Sequence, residues 1–344
     1  MDNSNSFQLD RFFPRTLYDQ ITRIRITKPE VVSQRAKTRK RPTAWVKDSG
    51  NVMILAADHP ARAVNTAAGD PLAMGSRYGY LGRLVRVLST PNCDGILGTP
   101  DILEDLLIVD HLIVDAGKPS ILDGRIMVGT MNRGGLAGAA FEMDDTFTAY
   151  TVERAAKNGL DAVKAMFRLD DTNPDSLKTL TGCAQAIDAC VDHGIPMYLE
   201  PLPVERSDTG YRVTKTPEAM IRTVGVASGL GKSSLNTWIK IPYTERYNEV
   251  AASTSCPVLM LGGESTGDPM RVFEEFASGM TAGANVRGAL VGRNVHHPGT
   301  HDPAAVASAI YGIVHDGVTP AEAGERLKTE HGRDLNSLAE VFQA

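Results

Sequence analysis

Asn236-Thr237-Trp238-Ile239-Lys240-Ile241-Pro242-Tyr243-Thr244 is a strand-like run with a lysine at its centre. The two-residue period of a β-strand turns Trp238, Lys240 and Pro242 to one face and Ile239, Ile241 and Tyr243 to the other. An ammonium flanked by isoleucines is costly to bury unless it is paired or gives up its proton. Two readings follow. Either the lysine lies at a strand end and reaches solvent along its own stem, or it is desolvated, with a lowered pKa, and can attack a carbonyl to form a Schiff base.

Seven further short apolar runs share this texture, and together they decide the fold. The expected strands are Val52–Asp58, Gly95–Thr99, Ile126–Met131, Ala162–Arg168, Ile195–Glu200, Thr237–Ile241, Val258–Leu261 and Gly288–Val291. Helical patterns lie between them. Thr216-Pro217, Asp268-Pro269, Asp302-Pro303 and Thr319-Pro320 each place a capping oxygen before a proline at the first helical position. His193-Gly194 supplies a glycine stop before the fifth strand. Eight strand–helix units with short connections predict an α/β fold, a parallel (β/α)8 TIM barrel. The competing architecture is a doubly wound open sheet. No GxGxxG follows the first strand, and Gly225 to Ser233 has Val226 where a phosphate-binding P-loop needs glycine.

The expected division is a basic, partly helical extension over residues 1–50 and a barrel with a C-terminal helix over 51–344. In the extension Pro14 opens a helix carried by Leu17, Ile21 and Ile24, and Pro29 and Pro42 interrupt it. The chain of 344 residues is 42% hydrophobic and 22% charged, enough for a full-sized core. No apolar run reaches the roughly 18–20 residues needed to span a bilayer, and the first residues lack the apolar block of a secretory signal. Cys93, Cys183, Cys190 and Cys256 form no CxxC pair and read as reduced core thiols of a cytoplasmic protein.

The net charge of −5 is uneven: residues 1–47 hold 11 Lys/Arg and 4 Asp/Glu, +7, leaving −12 for the remainder. The basic cluster Arg35 to Arg41 is short and has no groove-reading motif beside it, so a solvated face or a subunit contact is expected rather than nucleic-acid binding.

In a parallel barrel the chemistry collects at the C-terminal ends of the strands. Asp58 ends the first strand, Lys164 lies within the fourth, Glu200 ends the fifth and Lys240 lies near the end of the sixth. Each has a plain role open to it: Asp58 as a turn cap, Glu200 as an ion-pair partner of Lys164. Lys164 is also a rival nucleophile, because two lysines in one barrel depress each other's pKa. Together the four make an acid–base constellation. After the seventh strand comes Gly262-Gly263-Glu264-Ser265, and after the eighth Gly292-Arg293-Asn294. Glycine turns let backbone N–H groups approach an anion, and the loops after strands seven and eight are the usual phosphate site of such barrels. His296, His297, His301 and Asp302 are candidate metal ligands by residue type, but Pro298 and Gly299 break the helical spacing of His297 and His301. No metal or other cofactor is expected.

These residues resemble the class I (Schiff-base) aldolases of the deoxyribose-phosphate, tagatose-bisphosphate and archaeal-type fructose-bisphosphate aldolase group, from about Val52 to Val314. The shared pieces are Ala56-Ala57-Asp58-His59, Leu199-Glu200-Pro201-Leu202, Ile239-Lys240, Gly262-Gly263-Glu264-Ser265 and Gly292-Arg293-Asn294. The resemblance implies that Lys240 forms the imine and that Asp58 and Glu200 transfer protons. It also implies that Gly262, Gly263, Glu264, Ser265, Gly292 and Arg293 hold a substrate phosphate. Lys164 matches a strand-four lysine of the tagatose-like members, and the archaeal-type enzymes carry tyrosine where Glu200 stands. His59-Pro60 replaces the commoner His-Gly, a departure that bears on the substrate more than on the chemistry.

Overall the chain is most similar to actinobacterial deoxyribose-phosphate-aldolase-like barrels associated with myo-inositol breakdown. That implies a small phosphorylated keto-sugar substrate, specifically 2-deoxy-5-keto-gluconate 6-phosphate cleaved to dihydroxyacetone phosphate and malonate semialdehyde. It also implies a homo-oligomer without nucleic-acid or membrane partners. A fructose-, tagatose- or deoxyribose-phosphate aldolase, a metal-dependent aldolase and a non-catalytic phosphosugar-binding barrel are the alternatives.

Overall fold

A computed structural model describes residues 6–208 and 210–342. Nine strands form one sheet: β1 Val52–Ala57, β2 Gly95–Gly98, β3 Ile126–Thr130, β4 Ala162–Leu169, β5 Met197–Ser207, β6 Gly210–Val213, β7 Thr237–Pro242, β8 Val258–Leu261 and β9 Val286–Val291. All except β6 run parallel in the order β4-β3-β2-β1-β9-β8-β7-β5, and pairing of β4 with β5 closes the ring. This is the TIM barrel.

The barrel strands are buried on both sides, which is why they read as apolar runs rather than as polar–apolar alternation. Val52, Ile54, Leu97, Val128, Tyr198, Leu259 and Leu290 fill the interior. Residues of opposite parity, such as Met53, Leu55, Ile96 and Ile239, pack outward against the helices. Above the interior layers the same inward parity continues through Asp58, Lys164, Glu200 and Lys240, so the apolar plug forms the floor of a polar mouth.

Thr216, Asp302 and Thr319 cap their helices through side-chain oxygens, and Thr319 forms a full capping box with Glu322. Gly194 ends helix Asp175–His193 in the left-handed conformation, φ 64°. Asp268-Pro269 differs by one residue: Pro269 is itself the cap of helix Met270–Met280, and Asp268 Oδ1 accepts from Met270 N. The fifth strand also outruns its expected end at Glu200. It continues through Pro201 and Pro203 beside β4, then turns back as the β5–β6 hairpin. The four cysteines are buried and free. Among the described residues no helix is long and apolar enough to cross a membrane.

Helices Arg15–Thr27 and Glu30–Thr38 lie against the barrel, the first burying Leu17 and Ile21 in its main core, and Phe12 and Phe13 of the preceding short helix Leu9–Phe12 and its cap are buried there too. The basic cluster is a solvated face only in part: Lys37, Lys40 and Arg41 are exposed, whereas Arg35 and Arg39 are buried. Arg35 is buried on Asp110 and on Asp123, the latter at 2.6 Å; Arg39 is buried on Asp161 at 2.7 Å, and Arg41 pairs with the other oxygen of Asp161 at 2.7 Å. Asp161 opens the fourth strand and also accepts from Met127 N at 2.9 Å. The cluster is therefore an intrachain latch onto the N-terminal rim of the barrel.

Asp161→Asn removes the charge that two arginines share, and Arg39 has no route to solvent. Losing one partner of a buried pair typically costs about 3–5 kcal/mol. The denaturant midpoint of the variant should fall accordingly at unchanged m-value; a loss below about 1 kcal/mol would show that the latch contributes little.

Candidate active site

Glu200 stands at the centre of the barrel mouth. Its Oε2 lies 2.7 Å from Lys164 Nζ and 3.1 Å from Lys240 Nζ. Lys164 Nζ also reaches Asp58 Oδ2 at 3.3 Å. Thr130 Oγ1 donates to that same Asp58 oxygen at 3.0 Å, and Arg133 forms an ion pair with it. Strand parity explains the convergence. Lys164 faces inward on β4, Glu200 on β5 and Lys240 on β7, with Tyr198 paired to both Lys164 and Trp238 one layer below Glu200. The four ionisable residues singled out from the sequence are thus brought together, and all are buried.

Burial dominates the electrostatics. It pulls the ammonium of Lys240 below its ordinary 10.5, Glu200 opposes that shift, and Arg133 and Arg293 reinforce it. Burial depresses Lys164 further, against Glu200 and with help from Arg133 and Lys240. Contact geometry favours the reverse order of deprotonation: Lys164 touches two carboxylates, whereas Lys240 touches one that it must share. Burial pushes the carboxyl of Glu200 up, but the two ammonium groups outweigh it and hold it well below the usual carboxylate range.

The cavity, of about 150 Å³, is also lined by Gly262, Gly263, Gly292 and Arg293. Gly263 takes a left-handed φ of 68°, and a Cβ on Gly292 would come within 2.9 Å of Ala56 O, so both turns need glycine. Glu264 and Ser265 are not part of this lining. Glu264 is mostly exposed and only 4.0 Å from Arg293 at its nearest. Ser265 is buried, its hydroxyl donating to His297 O at 2.8 Å and accepting from Gly267 N. The histidines weighed as metal ligands have other roles: His296 and His297 share a hydrogen bond of 2.7 Å between their Nδ1 atoms, and Asp302 binds Arg86.

Three arginines escaped the sequence reading. Arg133 follows β3, Arg168 lies on β4 two inward positions beyond Lys164, and Arg62 sits in the short turn Pro60–Arg62 after β1; all three line the cavity. Asn132 fastens the loop that carries Arg133, its side chain bonding both the N–H and the carbonyl of Met166. The signal for Arg168 was present in the parity of the fourth strand. Arg133 would have been found by extending the strand-end rule to Met131-Asn132-Arg133.

A family model described as Cgl0159-like matches residues 50–310. The chain belongs to the Cgl0159-like family. The crystal structure of Cgl0159 from Corynebacterium glutamicum is 35% identical, with a TM-score of 0.82 over 89% of this chain and 98% of that one. An archaeal fructose 1,6-bisphosphate aldolase shares 20% identity, with a TM-score of 0.55 over 83% of this chain and 99% of that one, a likeness of fold. The 2-amino-3,7-dideoxy-D-threo-hept-6-ulosonate synthase 1 of Archaeoglobus fulgidus is 27% identical over 175 residues, which are 51% of this chain. The match spans only 61% of that relative's length.

The shared carboxylate generates a pH prediction. An amine attacks only when unprotonated, so if Lys240 forms an imine, that step rises with pH through the Lys240 pKa, and the depressed value places the rise below pH 10.5. Lys164→Met leaves Glu200 to Lys240 alone, which raises the Lys240 pKa. The acid limb of imine formation should move to higher pH by ~1 unit or more. An unmoved limb would mean that the two lysines do not compete.

Proposed function

We propose that this member of the Cgl0159-like family is a class I aldolase, a carbon–carbon lyase acting on a phosphorylated keto sugar or keto sugar acid through an imine on Lys240. The observation that carries the reading is the single oxygen of Glu200 held between two buried lysines at the catalytic end of a barrel. That arrangement can keep one lysine charged and leave the other neutral.

Neutral Lys240 Nζ adds to the substrate ketone, and Glu200, 3.1 Å away, relays protons as the carbinolamine loses water. In the resulting iminium, the electron pair of the breaking C–C bond flows to nitrogen, giving an enamine and releasing an aldehyde. A carboxylate takes the proton of the substrate hydroxyl as that bond breaks, and a proton returned to the enamine carbon precedes hydrolysis. Glu200 is the carboxylate in contact with the reacting amine. Asp58, held by Thr130, Arg133 and Lys164, lies on the far side of Lys164. Lys164 keeps its charge and binds substrate oxygens. Gly262, Gly263, Gly292 and Arg293 take the phosphate, with no step requiring a metal or other cofactor.

Within this class we favour 2-deoxy-5-keto-gluconate 6-phosphate, yielding dihydroxyacetone phosphate and malonate semialdehyde, on the resemblance set out above. Fructose and tagatose bisphosphates and deoxyribose phosphate are the nearest rivals. The half-length likeness to a heptulosonate synthase favours a second reading, in which the same lysine works in the bond-forming direction.

Borohydride reduction in the presence of dihydroxyacetone phosphate, followed by peptide mass mapping, should place one adduct on Lys240. Lys240→Met should lose turnover on the order of 10³-fold or more. An adduct on Lys164, or activity surviving in Lys240→Met, would remove Lys240 from the role.

A further inference from the structure

Strands four places apart in a closed eight-stranded barrel face each other across its axis. The third and fourth barrel strands are β3 and β4; the seventh and eighth are β8 and β9. The glycine turns and Arg293 follow β8 and β9. Arg133 follows β3 and Arg168 lies on β4, on the opposite wall. Arg62 comes from the turn after β1 but is drawn to the β3 side, by its ion pair with Asp145 and by Ala137 N donating to its carbonyl at 3.0 Å.

The cavity is cationic at both walls. Arg62, Arg133, Lys164, Arg168, Lys240 and Arg293 line it, against Asp58 and Glu200. Behind the arginine wall, Glu142 pairs with Arg168 at 3.2 Å and Asp145 with Arg62. Those partners leave donors over: Arg62 Nε and Nη1 and Arg133 Nε are buried without a hydrogen-bond partner among the described residues. Unpaired buried guanidinium donors are expensive. Burial pulls Arg62 well below its ordinary range and Arg133 to about 10, so an incoming anion would stabilise both in their charged form.

We propose that Arg62, Arg133 and Arg168 form a second anion subsite across the barrel from the glycine turns and Arg293, and that the substrate carries an anionic group at each end. The reacting carbonyl then lies between the two walls, over Lys240. The far group is a carboxylate or a phosphate, both of which suit the planar fork of arginine. This deepens the aldolase reading and rests on it for the carbonyl and for the phosphate wall. The arginine wall itself stands on the geometry.

Calorimetry on the full chain with carbonyl-free probes tests the subsite apart from the chemistry. The probes are hexitol 1,6-bisphosphate, 6-phosphogluconate and hexitol 6-phosphate, none of which can form an imine. At least one doubly anionic probe should bind about tenfold or more tighter than the single phosphate, and the tighter of the two identifies the far group as phosphate or carboxylate. Arg62→Gln and Arg168→Gln should each bring the ratio of double- to single-anion affinity toward one, and Arg62→Lys should retain part of it. Because the wild-type ratio needs no variant, misfolding of Arg168→Gln would leave the test intact.

Equal binding of all three probes by the wild type would overturn the proposal. So would variants that weaken single- and double-anion probes by the same factor, the result expected if the arginines only hold the loop after β3. A high ratio with no borohydride-trapped imine would sink the aldolase reading and leave the subsite standing; a trapped imine with a ratio of one would do the opposite.

Discussion

Glu200 Oε2 accepts two buried ammonium groups at once, and the rest of the site depends on how it divides its attraction between them. One carboxylate cannot fully compensate two desolvated cations. Asp58 enters on the Lys164 side and tips the division, since it touches Lys164 and not Lys240. Arg133 bears on both lysines, while Arg293 adds its positive charge to Lys240 without supplying an acceptor. On the proposed reading, this asymmetry leaves a neutral Lys240 beside a charged Lys164.

Holding such a cluster out of water requires a rigid frame. The interior plug of Val, Ile, Leu and Tyr side chains closes the barrel beneath it and fixes the inward parity of each strand. A slip of one residue on β7 would send Lys240 to the helix side and bring an isoleucine in. At the opposite rim, Arg35, Arg39 and Arg41 bind Asp110, Asp123 and Asp161, tying the first helices to the starts of the barrel strands. Charge thus serves two ends of one scaffold: compensated for structure at the N-terminal rim, and in cationic excess among the residues lining the opposite mouth.

Much of this was legible because a parallel barrel writes its strands as isolated apolar runs and places its polar residues at their ends. Val52–Ala57 or Thr237–Pro242 needs no tertiary information to be read as a strand. The hairpin was missed because the fifth strand was ended at Glu200, whereas β5 passes through Pro201 and Pro203 before pairing with β6. Arg35 and Arg39 of the basic arm were not foreseen as buried because their partners lie 75 to 122 residues away, and a local charge count cannot see them. Arg62 and Arg133 lie in loops, and a loop arginine becomes a cavity wall only when Asp145 or Asp58 holds it there. Glu264 and Ser265 lie outside the lining for the converse reason: a motif names four consecutive residues, but the turn presents only Gly262 and Gly263 to the cavity.

The central claim is that Glu200 splits the protonation of two lysines, and the lysine side-chain nitrogens report it directly. Nitrogen-15 NMR of the Nζ signals, assigned with Lys164→Met and Lys240→Met and followed through a pH titration, measures both groups in the resting protein. The account predicts that Lys240 titrates below 10.5 and loses its proton before Lys164. A Lys240 that remains charged after Lys164 has become neutral would contradict it.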